Sequence, residues 1–250
     1  MIEFGCLAHY DHFLSEDVLL ASTNNFKILQ IWYDKDGISL NKEINQIESI
    51  INLNFPCIIH AVLDVNDFDS HIPKLQNILK SLNHKELIIH PICTSESIVE
   101  NTIYKLSNNV KNAINILSKD GIQLYIENNS RLDPIVNSIR DIQILFSENP
   151  DSELLLDVAH IDNYEHLKEI VKIKYPKLLH LADRNLETIH EHLPIGKGNI
   201  DFNYIFTKIL HNYCGRIILE ITQSNEELIN SKNALDIILN KKKRPTTAST

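Results

Sequence analysis

Three acidic residues stand where acidic residues are costly. Glu127 in IQLYIEN, Asp157 in LLLDVAH and Glu220 in IILEIT each follow four or five mostly apolar residues. Burying an unpaired carboxylate costs several kcal/mol. Histidines occupy comparable places: His60 and His90 close two other apolar runs, His160 follows Asp157 by three residues, and His180 sits in LLHL. His190 and His192 share a loop with them in sequence. One histidine at a strand end is ordinarily a satisfied polar group, but a whole array of such residues asks for a common cause. A bound cation supplies it. Carboxylate and imidazole without thiolate suit a divalent transition metal (Zn, Mn, Fe or Co), and the ligand types do not choose among them. Such an ion polarises carbonyl or phosphoryl oxygens, or makes hydroxide from water.

The elements that must position these residues read as an alternation. Short Ile/Leu/Val runs recur eight times: Ile2–Leu7, Ile28–Trp32, Cys57–Val62, Leu87–Ile92, Ile122–Ile126, Leu154–Val158, Leu178–Leu181 and Ile217–Ile221. Each is nearly continuously apolar, as parallel strands buried on both faces are. Between them, apolar residues are spaced by three and four, as in Ile44, Ile47, Ile50 and Ile51, or Ile135, Ile139 and Ile142. These stripes predict amphipathic helices packed on the sheet. Gly121 and Gly215 precede strands and predict C′ positions with positive φ. Asp133-Pro134 and Ser224–Glu227 predict helix starts. Eight β-then-α units predict an α/β fold, a single (β/α)8 TIM barrel over residues 1–240, with an open doubly wound sheet as runner-up. In a barrel every strand's C-terminal end reaches one rim, so the dispersed ligands meet there. Residues 241–250, KKKRPTTAST, predict a basic then polar disordered tail.

Composition excludes several classes. A formal charge of −9 disfavours a partner held by its phosphate backbone, although a local basic groove is compatible with it. The six glycines form neither GxGxxG nor GxxxxGK[ST], so the familiar nucleotide-cradling loops are absent. Four cysteines without a CxxC pair read as buried thiols of a reducing compartment. With no basic-then-apolar start and no long apolar run, a cytoplasmic chain free of the membrane is expected. His71, His84, His166 and His211 fall on expected helices or their ends and read as solvated. His9 and His12 follow the first strand and reach the mouth without a specific partner.

The order of ligands is similar to that of the xylose-isomerase-like TIM barrel superfamily, which includes sugar and sugar-phosphate isomerases and epimerases and the endonuclease IV type of abasic-site nuclease. The residues that carry the resemblance are the strand histidines His60 and His90, Glu127, LLLDVAHIDNY, LLHLADRN, EHLPIGKGNIDF and Glu220. It covers essentially residues 1–240. The resemblance implies a central metal on Glu127, Asp157, His180 and Glu220. Endonuclease-IV-like members add a second metal at positions matching His60 and His90, bridged through Glu127. They add a third at positions matching His160 and His192, with an Asp where this chain has His190, so that site would carry one negative charge less. The nuclease-type aromatic that enters DNA after the strand-three histidine is also missing; Leu63 and Asp64 stand there, and an acidic group at a DNA-facing loop repels phosphate.

Three chemistries fit this ligand set. In an isomerase or epimerase of a small sugar or sugar-phosphate-like polyol, a metal acts as Lewis acid on an enediolate while Glu127 and Glu220 exchange the α-proton from opposite faces. His160 and His192 then touch substrate, and Asp183, Arg184 and Lys197 are further substrate-binding candidates. A phosphoesterase would use two or three metals for in-line displacement, which explains His60 and His90. A multi-iron oxygenase uses the same ligands. A non-catalytic binding barrel is the remaining reading. The sequence names neither substrate nor oligomeric state.

Overall fold

The computed structural model of the 250-residue chain describes residues 2–242. Nine strands are present among the described residues: β1 (Glu3–Leu7), β2 (Ile28–Asp34), β3 (Gly37–Ile38), β4 (Cys57–Asp64), β5 (Glu86–Ile92), β6 (Gln123–Glu127), β7 (Glu153–Asp157), β8 (Leu178–Leu181) and β9 (Arg216–Leu219). All neighbours pair in parallel except β3, a two-residue hairpin strand antiparallel to β2. The order β1-β9-β8-β7-β6-β5-β4-β2 closes through β1–β2, giving a single (β/α)8 barrel. All eight expected strands are present.

The helices are α1 (Leu14–Thr23), α2 (Gln46–Leu53), α3 (Phe68–Leu82), α4 (Thr102–Leu117), α5 (Ile139–Glu148), α6 (Tyr164–Ile173), α7 (Phe202–Tyr204) and α8 (Asn225–Lys242), of which α2, α3, α4, α5 and α8 carry the apolar stripes. Side chains cap the starts of α2, α5, α6 and α8, whereas the residues before α1, α3 and α4 make no such bond. Asn45, Ser138 and Asn163 accept from Glu48 N, Asp141 N and His166 N, and Ser224 Oγ accepts from Glu227 N. Several local expectations are corrected. Helix α5 starts at Ile139, not Asp133-Pro134, because Ser138 provides the cap; Ile135 is buried in the preceding loop. Ile44 lies before α2 and is exposed. Gly121 has the expected positive φ of 67°, whereas Gly215 does not. Gly215 is small for a different reason: a Cβ there would stand 2.5 Å from Lys177 O. Lys241 and Lys242 continue α8 rather than opening the tail, and the rest of that expected tail, residues 243–250, lies outside the described residues.

The barrel interior is built in layers, because side chains of a strand alternate between its two faces. Ile28, Ile58, Ile88, Tyr125, Leu155, Leu178 and Ile218 form one buried cluster, separate from the core between sheet and helices. Gly5 fills the β1 position at this level, in register with Ile28 and Ile218; a Cβ there would come within 2.4 Å of the Ile28 side chain. Two residues further along each strand, the inward positions are Leu7, Gln30, His60, His90, Glu127, Asp157, His180 and Glu220. An apolar floor thus carries a polar layer on its C-terminal side.

Candidate metal centre

The polar layer is dense and dry. Glu127, Asp157, His60 and His180 are each at most 2% exposed. One ligand atom from each of Glu127, Asp157, His180 and Glu220 lies within 4.8 Å of the others. His180 Nδ1 is 3.1 Å from Glu127 Oε1 and 3.2 Å from Glu220 Oε1. A second group, His60, His90 and Glu127, also meets the 4.8 Å limit. There Glu127 Oε2 receives His60 Nε2 at 2.8 Å and His90 Nδ1 at 2.9 Å. The third group is His160, His190 and His192. Its rings are neighbours, with His160–His190 centroids 5.0 Å apart and His190–His192 centroids 4.9 Å apart. The structure therefore brings every expected ligand into three adjoining groups that share the Glu127 and Asp157 region.

The donor set fits a divalent ion. Asp157 Oδ2, His160 Nε2 and His192 Nε2 are buried polar atoms without hydrogen-bond partners. They face one another: Asp157 Oδ2 is 3.3 Å from His160 Nε2 and 3.8 Å from His192 Nε2. Orphaned buried acceptors are expensive, and three converging on one point are what a cation satisfies. The other atoms of these residues are fixed. Asp157 Oδ1 accepts from Ala159 N at 2.6 Å, and His160 Nδ1 bonds Asn128 O at 3.0 Å. Asn128 Oδ1 in turn accepts from Asp157 N at 2.8 Å.

Electrostatics report the same crowding. Burial pushes Asp157 up to about 7, with Glu220 and Glu127 adding to it. Burial would raise Glu127 too, but His90, His180 and His60 around it hold it well below the ordinary carboxylate range. Glu220 is likewise lowered against its burial by His180 and His192. Burial opposes charge on His90 and His180, yet the facing carboxylates raise them to about 10 and about 9. His190 falls to about 4 through burial and the neighbouring His160 and His192.

Two residues that the strand-end reading of the sequence passes over hold this network. Gln30, 2% exposed, bridges three members: its Nε2 donates to Glu220 Oε1 at 2.8 Å and lies 3.1 Å from His60 Nδ1, while its Oε1 is 2.7 Å from His180 Nε2. A glutamine inside ILQIWY was the available signal. Asp133, in the loop after β6, brings Oδ2 to 3.8 Å from His90 Nε2. Trp32 sets its ring edge-on to His60, centroids 5.2 Å apart.

The remaining sequence-derived candidates fall elsewhere. Asp183 is 1% exposed and accepts from Arg184 N, Gly196 N and Ile200 N at 2.8, 2.8 and 3.1 Å, while its backbone pairs with Leu193. Arg184 is 2% exposed and binds Ile189 O and Ile161 O, so it ties the His190–His192 loop to the residue after His160. Lys197 is exposed and lines a separate groove with Pro194, Ser224 and Glu227. Asp64 is not a free charge at the loop surface: at 6% exposure it accepts from Asn66 N, Thr94 N and Ser95 N in the loops after β4 and β5. His60 and His90 lie inside their strands and not at the last residue: β4 runs to Asp64, two residues past the expected run, and β5 ends at Ile92 as expected. His71 is buried and paired with Tyr33, and His84 and His166 are half-buried and bonded to Cys57 and Asn137; of those four only His211 is exposed. Cys6 and Cys57 are buried as expected, Cys93 is half-buried and Cys214 exposed.

A cavity of about 930 Å³ opens on the layer, lined by Glu220, His192, Gln30, Trp32, His9, His12 and residues 222–225. That volume suits a small molecule. No helix among the described residues is long and apolar enough to cross a membrane.

Fold and ligand layer together define a barrel with a polyhistidine–carboxylate centre at its C-terminal mouth. The chain belongs to the xylose isomerase-like TIM barrel family, whose sequence pattern matches residues 75–239. An uncharacterized protein of Methanocaldococcus jannaschii is 31% identical over 123 residues, 48% of this chain and 47% of that protein, so the match spans about half of that curated relative's length. Among solved structures, a D-tagatose 3-epimerase-like protein superposes with a TM-score of 0.77 at 18% identity, covering 96% of this chain and 98% of that one. An IolI protein with a bound zinc atom gives 0.76 at 15% identity, covering 96% and 99%. An L-ribulose 3-epimerase gives 0.76 at 13% identity over 100% of both chains. At these identities the likeness concerns the fold.

Proposed function

We propose that this chain is a metal-dependent isomerase or epimerase of a small sugar or sugar-phosphate-like polyol. The observation that carries the reading is that Glu127 and Glu220, from non-adjacent strands, both approach His180 Nδ1, at 3.1 and 3.2 Å. Glu127, Asp157, His180 and Glu220 would hold a divalent ion, which supplies Lewis-acid polarisation of substrate oxygens. Glu127 and Glu220 then remove and return the proton on the carbon next to the carbonyl, each from its own side. Their titration is shared with the imidazoles, so the pair acts as one coupled system. His192, which lines the cavity, contacts substrate oxygens, with His160 buried behind it. Asp183 and Arg184 act through the loop that carries His190 and His192. The epimerase names of two structural neighbours and the bound zinc of a third support the reading.

The test is proton exchange. Metal-loaded protein incubated with ketoses in D2O should place deuterium at the carbon beside the carbonyl, followed by magnetic resonance. Glu220→Gln and Glu127→Gln should each abolish incorporation. If no ketose or ketose phosphate exchanges at any divalent metal tried, the proposal fails.

A second reading has its own observation. The His60–His90–Glu127 and His160–His190–His192 groups provide room for two further ions, which a multinuclear phosphoesterase would use and a simple isomerase would not. The cavity lining has neither lysine nor arginine, which argues for a small phosphoester over a nucleic acid. Three tightly held ions per chain with hydrolysis of a phosphodiester, and no exchange in D2O, would favour it.

A further inference from the structure

Outside the layer just described, the loop from β1 to α1 gathers another set of ligand types. His9, His12 and Asp17 each offer an atom within 4.8 Å of the others. His9 Nδ1 lies 2.7 Å and His12 Nδ1 3.7 Å from the same oxygen, Asp17 Oδ1. Two nitrogens and one carboxylate oxygen bound to one tetrahedral ion at ~2.0–2.1 Å stand about 3.3 Å apart, between these two distances. The imidazole rings are 4.5 Å apart, close for groups that would repel if both were protonated. Asp17 is a carboxylate 2% exposed in the first turn of α1, and its second oxygen accepts from His9 N at 2.9 Å. The loop is thereby locked to the helix at residue 9, so two of the three donors are preorganised.

The surroundings decide the sign of the ligand. His9 and His12 line the 930 Å³ cavity together with Asp11 and Glu220, and that lining contains no lysine or arginine. Glu43 approaches the same turn, accepting from Leu14 N at 2.9 Å. Carboxylates with no lysine or arginine facing them attract a cation. We propose that His9, His12 and Asp17 form a separate divalent-metal site in the cavity wall, with open coordination positions turned to the cavity. Two imidazoles and one carboxylate suit Zn, Mn, Fe or Co, and three protein ligands leave room for water or substrate. The site does not depend on the isomerase reading.

The full-length chain, stripped of metal, is titrated with Zn2+ alone by calorimetry, in parallel with His12→Ala, His9→Ala and Glu127→Gln. His12 is 40% exposed at its side chain, so its removal leaves the fold intact. The wild type should saturate with one equivalent more than His12→Ala and His9→Ala, or each variant should bind that equivalent about tenfold or more weakly than the wild type. Glu127→Gln should keep the His12-dependent event while losing others. With Co2+ in place of Zn2+, the ring protons of His9 and His12 should shift paramagnetically in Glu127→Gln. Equal stoichiometry and affinity in the wild type and both histidine variants, or unshifted His9 and His12 signals, would overturn the site.

Discussion

His180 Nε2 donates to Gln30 Oε1 across 2.7 Å, so the proton His180 can give up is the one on Nδ1, which faces Glu127 and Glu220. The same amide gives one hydrogen to Glu220 Oε1 at 2.8 Å and points another at His60 Nδ1 at 3.1 Å. One neutral side chain thus sets the ring orientation of two histidines and one carboxylate. With His60 Nδ1 accepting from Gln30, His60 Nε2 keeps its hydrogen for Glu127, whereas His180 joins the Glu127–Asp157–His180–Glu220 group as a ligand once its Nδ1 proton leaves.

Gln30→Leu should therefore weaken metal binding at the first site by about 10–100-fold. The side chains are close in size but Glu220 and His180 lose a buried partner, so a denaturant melt of the variant accompanies the metal measurement. Competition against a chelator measures the effect. Unchanged affinity in the variant would remove Gln30 from the account of the site.

Metal loading should release protons and strengthen as pH rises. In the metal-free chain His90 titrates at about 10 and His180 at about 9, so both are charged at pH 7 and must lose a proton to become ligands. Asp157, at about 7, is half protonated there. Calorimetry at pH 7 in buffers of different ionisation enthalpy should count at least about one proton released per ion. A count of zero would contradict the charge states assigned here.

Stability should change with pH in the opposite sense for the metal-free protein. His90 and His180 are raised above the ordinary 6.5, so the stability they contribute is present below about 6.5 and is lost as pH rises through their folded values. Asp157 adds to the trend, because a raised carboxylate lowers stability as pH climbs from its ordinary 3.8 toward about 7. The gain in Tm on adding metal should accordingly grow from pH 6 to pH 9, read by calorimetric melts. A gain that shrinks with pH would show that proton release is not what limits binding.

Much of this centre is legible in the chain because strand periodicity does the positioning. Ile58 and His60, Ile88 and His90, Tyr125 and Glu127, Leu155 and Asp157 repeat one step of two residues from apolar floor to polar layer. The same step from Ile28 reaches Gln30, whose amide is not a metal-ligand type and so carries no signal in a search for ligands. Asp183 and Asp64 show what local pattern leaves out. Sequence marks them as carboxylates beside strand ends but says nothing of which backbone N–H groups will turn toward them, and three backbone N–H groups converge on each. Loop chemistry of this kind is fixed by tertiary closure, not by local pattern.

Asp183 tests that distinction. Its carboxylate is the hub of the loop from β8 to α7, and Gly198 makes room for it, since a Cβ there would lie 2.5 Å from Asp183 Oδ1 and from Arg184 O. Asp183→Ala should cost about 1–3 kcal/mol by leaving Gly196 N and Ile200 N without their acceptor. It should also loosen His190 and His192, lowering metal retention at the third group while Glu127–Asp157–His180–Glu220 keeps its own. Denaturant melts and metal counts after dialysis separate the two effects. Loss of substrate affinity with unchanged stability and metal content would instead make Asp183 a direct substrate contact.

The opposite end of the barrel supplies a control for every one of these changes. Arg216 on β9 reaches across to Glu86 on β5, with Nη1 2.7 Å from Oε2 and Nη2 on Oε1, and Tyr125 OH donates to Glu86 Oε1 at 2.7 Å. Burial would raise Glu86, but Arg216 and Tyr125 hold it below its ordinary value. Its contribution is therefore present above the ordinary carboxylate value and lost as pH falls through the folded one. Glu86→Gln should cost about 1 kcal/mol near pH 7, the pair being partly exposed, or roughly 2–4 °C in Tm. The difference from wild type should narrow toward pH 3. Because the floor of Ile28, Ile58, Ile88, Leu155, Leu178 and Ile218 stands between this clamp and the ligand layer, metal affinity should not move. A variant that lost both stability and metal would mean the floor transmits strain, and the stability effects of Asp183→Ala could then no longer be assigned to its loop alone.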